Sequence, residues 1–158
     1  MLNLFKRNFV QNNNSICMPV NGKCMDISEC NDTVFSKKIM GDGFVVESQE
    51  GTVCSPCDGT IAMIFPTKHA IGIRMKNGTE ILLHIGIDTV NLNGKFFNSL
   101  CSLHDNIKIG TPLIKYDINK IKEMGYDSTI IVVVCGEQDV AKLHLNEYRK
   151  TGDIIIEG

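Results

Sequence analysis

Two apolar runs joined by an Asn-Gly pair constrain this chain more than any other stretch. His69-Ala70-Ile71-Gly72-Ile73-Arg74-Met75 and Ile81-Leu82-Leu83-His84-Ile85-Gly86-Ile87-Asp88 flank Lys76-Asn77-Gly78-Thr79-Glu80. Asn-Gly between β-like runs is the strongest short-range hairpin signal. With Asn77 and Gly78 as a two-residue loop, Lys76 faces Thr79 and paired residue numbers sum to 155. His69 then lies opposite Gly86, with His84 and Asp88 as diagonal neighbours on the same face, roughly 7–8 Å away. Gly86 has no side chain and leaves room between the two imidazoles. In the second run Ile81, Leu83, Ile85 and Ile87 alternate with Leu82, His84, Gly86 and Asp88, which sends the isoleucine face to the core and the histidine face outward. Two of four histidines and a carboxylate thus share one face. A longer loop would shift the register and change these pairings.

With 158 residues the chain can bury a proper core without staples. Its 43% hydrophobic and 22% charged content is ordinary for a globular protein. A formal charge of −2, with no Arg/Lys cluster, gives no reason to expect nucleic acid. No apolar run approaches a membrane span; the longest, Ile130 to Cys135, reads as a buried strand. The opening residues lack a secretory cleavage pattern, and seven cysteines, an odd number, argue for reduced thiols in a cytosol. Cys54-Ser55-Pro56-Cys57 has the spacing of a metal or redox pair but no second pair to complete four zinc ligands, so it reads as plain thiols. Cys17, Cys24, Cys30, Cys101 and Cys135 read as small hydrophobes.

Along the chain, residues 1–15 read as a flexible N-terminal arm. Leu2, Phe5 and Phe9 at helical spacing, with Lys6 and Arg7 between, allow peripheral membrane contact through residues 1–10, against the plainer reading of a frayed tail. Residues 16–158 read as one domain. Within it, 16–27 echoes 53–64: Cys, Pro, Gly and a terminal Ile recur at one constant offset, each copy as strand, turn, strand. Further short strands at Phe44 to Glu47, Ile107 to Ile109, Ile130 to Cys135 and Ile154 to Ile156 are broken by Gly turns. The one fair helix runs from Asp117 as N-cap to Met124, with Gly125 as its stop. The expected fold is all-β, an antiparallel sandwich or barrel-like arrangement with an internal β-unit duplication and at most short helices.

Four blocks carry a resemblance to a known family: Lys38-Ile39-Met40-Gly41-Asp42-Gly43, Ser55-Pro56-Cys57-Asp58-Gly59-Thr60-Ile61, Phe65-Pro66-Thr67-Lys68-His69-Ala70 and Leu83-His84-Ile85-Gly86-Ile87-Asp88-Thr89-Val90. The chain resembles the glucose-family enzyme IIA component of the bacterial phosphoenolpyruvate:sugar phosphotransferase system, from Ile16 to the end. Pro66, Lys68 and the cysteines depart from the usual pattern.

The resemblance implies an antiparallel β-sandwich that carries a phosphoryl group on His84. The phosphocarrier HPr donates the group, and a cysteine on the enzyme IIB domain of a sugar permease accepts it. It further implies that His69 steadies the phosphoryl oxygens, that Thr67 supports His69, and that the Gly86 carbonyl orients the His84 ring. Asp42 and Asp88 would form an acidic rim facing the donor, and Met40, Phe44, Phe65 and Leu82 an apolar docking surface, with plain core as the alternative for Phe44 and Phe65. A cytoplasmic monomer that needs no cofactor is expected. Regulated enzymes or transporters are further expected partners, since some relatives act on them. His104 and His144 match no functional position.

Two rival readings stay open from sequence. His84-Ile85-Gly86-Ile87-Asp88 has the His-x-x-x-Asp look of certain β-rich zinc hydrolases, although the His-x-His pair those enzymes need is missing. Zinc at His69 and His84 is allowed, with a third ligand lent by a partner. The other rival is a purely regulatory binding module that uses the histidines as a docking surface.

Overall fold

The computed structural model describes residues 14–158, so the arm expected at 1–15 lies almost wholly outside the described residues. Its strands are β1 (Ile16–Cys17), β2 (Gly22–Asp26), β3 (Gly41–Glu47), β4 (Thr52–Cys54), β5 (Gly59–Ile64), β6 (Ala70–Arg74), β7 (Glu80–Ile85), β8 (Phe97–Ser99), β9 (Asn106–Ile107), β10 (Pro112–Tyr116), β11 (Ile130–Cys135), β12 (Glu147–Arg149) and β13 (Ile154–Ile156). Two short α-helices interrupt them, α1 (Thr33–Ser36) and α2 (Ile118–Glu123), with 3-10 turns at Ile27–Glu29 and Thr89–Leu92. All ladders are antiparallel. Eight strands form the main sheet in the order β12-β2-β3-β11-β7-β6-β5-β9, alongside a three-stranded sheet β4-β10-β8 and the pair β1-β13. The expected antiparallel all-β fold is the observed one. Helix α2 follows the reading closely, with the Asp117 carboxylate accepting from Lys120 N and Gly125 in the left-handed region just past the end.

The duplication is written into the hydrogen bonds. Cys17 N donates to Pro56 O at 2.7 Å, and Cys54 N donates to Pro19 O at 2.8 Å, a reciprocal exchange between equivalent residues of the two copies. Met18 N bonds Asp153 O as Ser55 N bonds Thr111 O. The relation extends across the sheet. Cys24 pairs Val46, which pairs Ile130; Ile61 pairs Ile73, which pairs Ile81. Strands β11 and β7 are therefore counterparts, and they pair with each other at the centre of the sheet.

The register of the β6-β7 hairpin differs from the expected one. Ala70 pairs His84 and Arg74 pairs Glu80, so paired numbers sum to 154. Met75 N donates to Thr79 O and Gly78 N to Met75 O, which makes Lys76-Asn77-Gly78 a three-residue loop closed by Gly78 at φ +88°. The Asn77 side chain accepts from Thr79 N and stabilises that loop. The extra loop residue places His69 opposite Ile85, whose N–H bonds His69 O at 2.8 Å.

The two faces of the main sheet are covered differently. Ile71, Ile73, Ile81, Leu83, Ile85, Ile130 and Val132 point into the large core, with Phe44, Val46, Leu113 and Ile121 among their neighbours. Ala70, Leu82, Ile131, Val133 and Val45 point the other way, into a smaller core roofed by Ile27, Cys30 and Phe35. The histidine face is thus not simply outward-facing: the connection 27–40 between β2 and β3 lies over part of it.

Candidate functional site

The histidines meet at the edge of that roof. Strand β7 aims His84 into the smaller core face beside Leu82. His69 precedes the first residue of β6, and the chain reaches it through Lys68 in the left-handed region (φ 58°), so strand alternation does not govern its ring. The ring centres lie 4.8 Å apart with an interplanar angle of 86°. Sequence reasoning brought the right pair together through a wrong register, because the departure from regular strand at His69 offset the one-residue slip.

Each ring is held from behind. Thr67 Oγ1 lies 2.7 Å from His69 Nδ1, and the Phe65 ring packs edge-on to His69 at 5.5 Å. The Phe35 ring stands 5.0 Å from that of His84. Phe35 comes from α1, whose N-cap Asp32 accepts from Val34 N at 2.8 Å. A four-residue helix shows no usable hydrophobic period. Phe35 is therefore a site residue that sequence reading missed; the Asp32 cap two residues before an apolar pair was the only local signal.

Gly86 plays a different part from the one expected. Its φ is +76°, and a Cβ there would lie 2.4 Å from Thr89 Cγ2 and 2.8 Å from Asp127 O, so its missing side chain makes room for the chain's turn out of β7, not for the imidazoles. Gly86 N donates to Thr129 O, Ile87 N to Asp127 O, and the Thr89 hydroxyl bonds Ile85 O, fixing the turn that follows His84. Nδ1 of His84 is sealed from solvent without a partner in full hydrogen-bond geometry. The Gly86 carbonyl nevertheless acts on the ring as an acceptor that favours its protonated form.

Burial dominates the electrostatics. It lowers the His84 pKa, with the neighbouring His69 adding to the effect, while the Gly86 carbonyl and the Asp32 carboxylate oppose it; the result is about 4. Burial also lowers His69, which is 3% exposed. Both rings are neutral at pH 7 and carry free lone pairs, as a nucleophile requires.

The expected docking residues separate. Asp88 is exposed in the left-handed region (φ 60°), and its carboxylate caps nothing, so it stands free beside the site. Met40 is surface-exposed and Phe65 half-buried. Asp42 is not on a rim: it is 2% exposed, accepts from Gly43 N and Val140 N, and pairs with Lys142 and Lys38. Phe44 is wholly inside the large core, because β3 turns it away from the histidine face, and Leu82 is buried under the roof. Exposed apolar residues that the sequence reading left out, Val34, Ile39 and Val90, join Met40 at the surface.

Two imidazoles do not complete a zinc site, which takes four ligands. No group of three or more His, Cys, Asp or Glu side chains suited to a metal occurs among the described residues. Nor, among those residues, is any helix long and apolar enough to cross a membrane.

Comparison with known proteins bears on the fold and the family. The structure superposes on glucose permease IIA from Mycoplasma capricolum with a TM-score of 0.82 at 32% identity, covering 91% of this chain and 94% of that one. A glucose-specific EIIA component from Staphylococcus epidermidis is 38% identical over 149 residues, 91% of this chain and 90% of the relative. A glucoside-specific EIICBA component from Staphylococcus carnosus is 42% identical over 143 residues; the chain matches 21% of that fused protein's length. Residues 14–140 match the family described as phosphoenolpyruvate-dependent sugar phosphotransferase system, EIIA 1. With that match and relatives this close, the chain belongs to the EIIA family of the phosphoenolpyruvate-dependent sugar phosphotransferase system.

Proposed function

We propose that His84 is the phosphoryl acceptor and Nε2 its attacking atom. The observation that carries this reading is the half-buried, neutral His84 ring, whose Nδ1 is sealed at the Gly86 turn and which meets a second neutral imidazole edge-on. Nε2 attacks the phosphorus of a phosphohistidine on the phosphocarrier HPr. The new N–P bond forms as the donor's N–P bond breaks, and the Nδ1 proton stays on the ring, beside the Gly86 carbonyl. In the second transfer a cysteine thiolate of an enzyme IIB domain attacks the same phosphorus, and neutral His84 leaves. Such transfer depends on positioning and charge stabilisation more than on a strong base. His69, braced by Thr67, donates a hydrogen bond to the phosphoryl oxygens while they pass between nucleophiles.

An enzyme IIB partner is supported by relatives in which an EIIA segment is fused to B and C components. Asp88 supplies negative charge for a basic donor surface, and Val34, Ile39, Met40 and Val90 supply apolar area. Asp42, Phe44 and Leu82 are left out of that surface by their burial. The transfer itself needs no cofactor, and we place it in the cytoplasm, where phosphoenolpyruvate and the donor proteins reside. Zinc at His69 and His84 would take its remaining ligands from water or another molecule.

The test is to incubate the protein with enzyme I, HPr and labelled phosphoenolpyruvate and to follow acid-labile, alkali-stable label. Wild type is expected to take label and His84→Gln none. His69→Gln is expected to take label but to pass it slowly to enzyme IIB. A wild type that stays unlabelled in a competent donor mixture would end this reading.

A further inference from the structure

We propose that Lys142 is a positioning residue for the histidine pair: its ammonium clamps both ends of the 27–40 roof that holds Phe35 on His84. The proposal rests on the acceptor role of His84.

The roof starts at Asp26, the last residue of β2, and returns to the sheet at β3, where Asp42 is the second residue. Lys142 Nζ lies 2.5 Å from Asp26 Oδ1 and 2.5 Å from Asp42 Oδ1, and its side chain is 5% exposed. One buried cation therefore ties the strand entering the roof to the strand leaving it. The Asp26 carboxylate is used twice: Oδ1 faces Lys142 while Oδ2 accepts from Ser28 N and Ser28 Oγ, opening the 3-10 turn that carries Ile27 into the smaller core. At the far end Lys38, itself within the roof, reaches Asp42 at 3.5 Å and Asp139 at 3.3 Å, and Gly136 N bonds Met40 O.

A third tie stands midway, where Asn31 Nδ2 donates to Asp127 Oδ2. Asp127 also supports the turn after His84 through its carbonyl. The clamp thus fixes the roof at its ends and the turn fixes it at its middle, leaving Phe35 one place to stand. Burial works against the charge on Asp26, but the Lys142 and Ser28 hydrogen bonds outweigh it and hold the carboxyl down at about 2. Asp42 is lowered by the same cation and by the Val140 and Gly43 amides, against its burial. Both carboxylates of the clamp are therefore ionised at neutral pH. The family resemblance implies partner docking for Asp42; the cation that claims it instead lies a hundred residues away in sequence.

Two variants test the clamp without leaving a lone buried charge. Asp26→Asn keeps the Lys142–Asp42 pair and a side chain able to cap Ser28 N, because Asn caps as well as Asp. Lys142→Met/Asp42→Asn removes the buried pair together. The readouts are cooperative unfolding, the pH titration of the His84 ring by NMR, and the initial rate of labelling from phospho-HPr. Both variants are expected to fold, and in both His84 is expected to titrate higher than in wild type by roughly half a unit or more, as the ring loses part of its cover. Labelling slows several-fold, and in a Phe35→Leu background neither variant adds to the change. An unchanged His84 titration, or a shift just as large without Phe35, would overturn the proposal. So would failure of both variants to fold, since the clamp would then serve the fold alone. A wild type that takes no label, with shifted titrations in the variants, would remove the acceptor role and leave the clamp standing.

Discussion

The two β-units share a scaffold and differ in what joins their second strands to the sheet. In the first unit β2 reaches β3 through the long apolar roof 27–40; in the second β5 reaches β6 through the short segment 65–69. Strands β11 and β7 occupy equivalent positions, and Val133 faces Gly43 where His84 faces Ala70. Duplication alone therefore builds a symmetric sheet with no site. The site arises where the symmetry fails: the short connection ends in His69, the long one supplies Phe35, and both converge on the unit that carries a histidine in place of valine. A duplicated fold supplies reciprocally bonded positions, and unequal connections bring two histidines and Phe35 together at one of them.

The sharpest break of the comparison is His84→Gln, which makes β7 as inert as β11. Acid-labile label should vanish altogether while thermal unfolding stays cooperative; residual label would place an acceptor elsewhere. Next comes the turn that follows His84. Gly86→Ala should cost about 3–4 kcal/mol, from a Cβ overlapping Thr89 and Asp127 O in a left-handed conformation. Gly78→Ala, also left-handed but with open space around it, should cost only about 1 kcal/mol. Equal costs in urea unfolding would show that the turn's close packing is unimportant.

Phe35→Ala removes the roof's main contact with the site. It should cost about 3 kcal/mol, near the low end for a buried phenylalanine because the cluster is small. The His84 pKa should rise from about 4 toward 6.5. An unmoved titration would mean that the burial of His84 comes from the sheet rather than the roof.

The smallest effect concerns pH. A histidine whose folded pKa is depressed binds fewer protons when folded than when unfolded. Its stabilising contribution is complete above the unfolded value of 6.5 and declines as pH falls toward about 4. Between those limits His84 should account for roughly 2–3 kcal/mol of lost stability. His84→Gln should flatten that part of the stability-versus-pH curve, and unfolding curves identical to wild type from pH 7 to 4 would contradict the lowered pKa of the half-buried ring.

Local patterning makes much of this molecule legible from its sequence. Alternation marked the strands, Asn77-Gly78 marked the hairpin, Asp117 and Gly125 bracketed the longer helix, and the repeated Cys, Pro, Gly and Ile pattern announced the duplication. These signals are short-range, set by backbone preferences and side-chain period, so a single sequence carries them. The pairing of His69 with His84 was also within reach, although the loop proved one residue longer than its Asn-Gly pair suggested.

What only the tertiary structure decided depends on residues distant in sequence. Whether Asp42 faces a partner or a buried Lys142 depends on how 136–142 folds back over β3, a contact across a hundred residues that no local period encodes. Phe44 and Leu82 look alike as apolar strand residues; which side of the sheet each faces, and whether that side is roofed, is a matter of packing. Phe35 sits on one turn of helix that owes its place to the core beneath it, since so short a helix has little stability of its own. The sequence by itself determined the strands, the repeat and the meeting of His69 with His84. The packed fold determined which carboxylates stay free, what covers His84, and therefore how far its pKa falls below 6.5, because burial is a property of the whole chain.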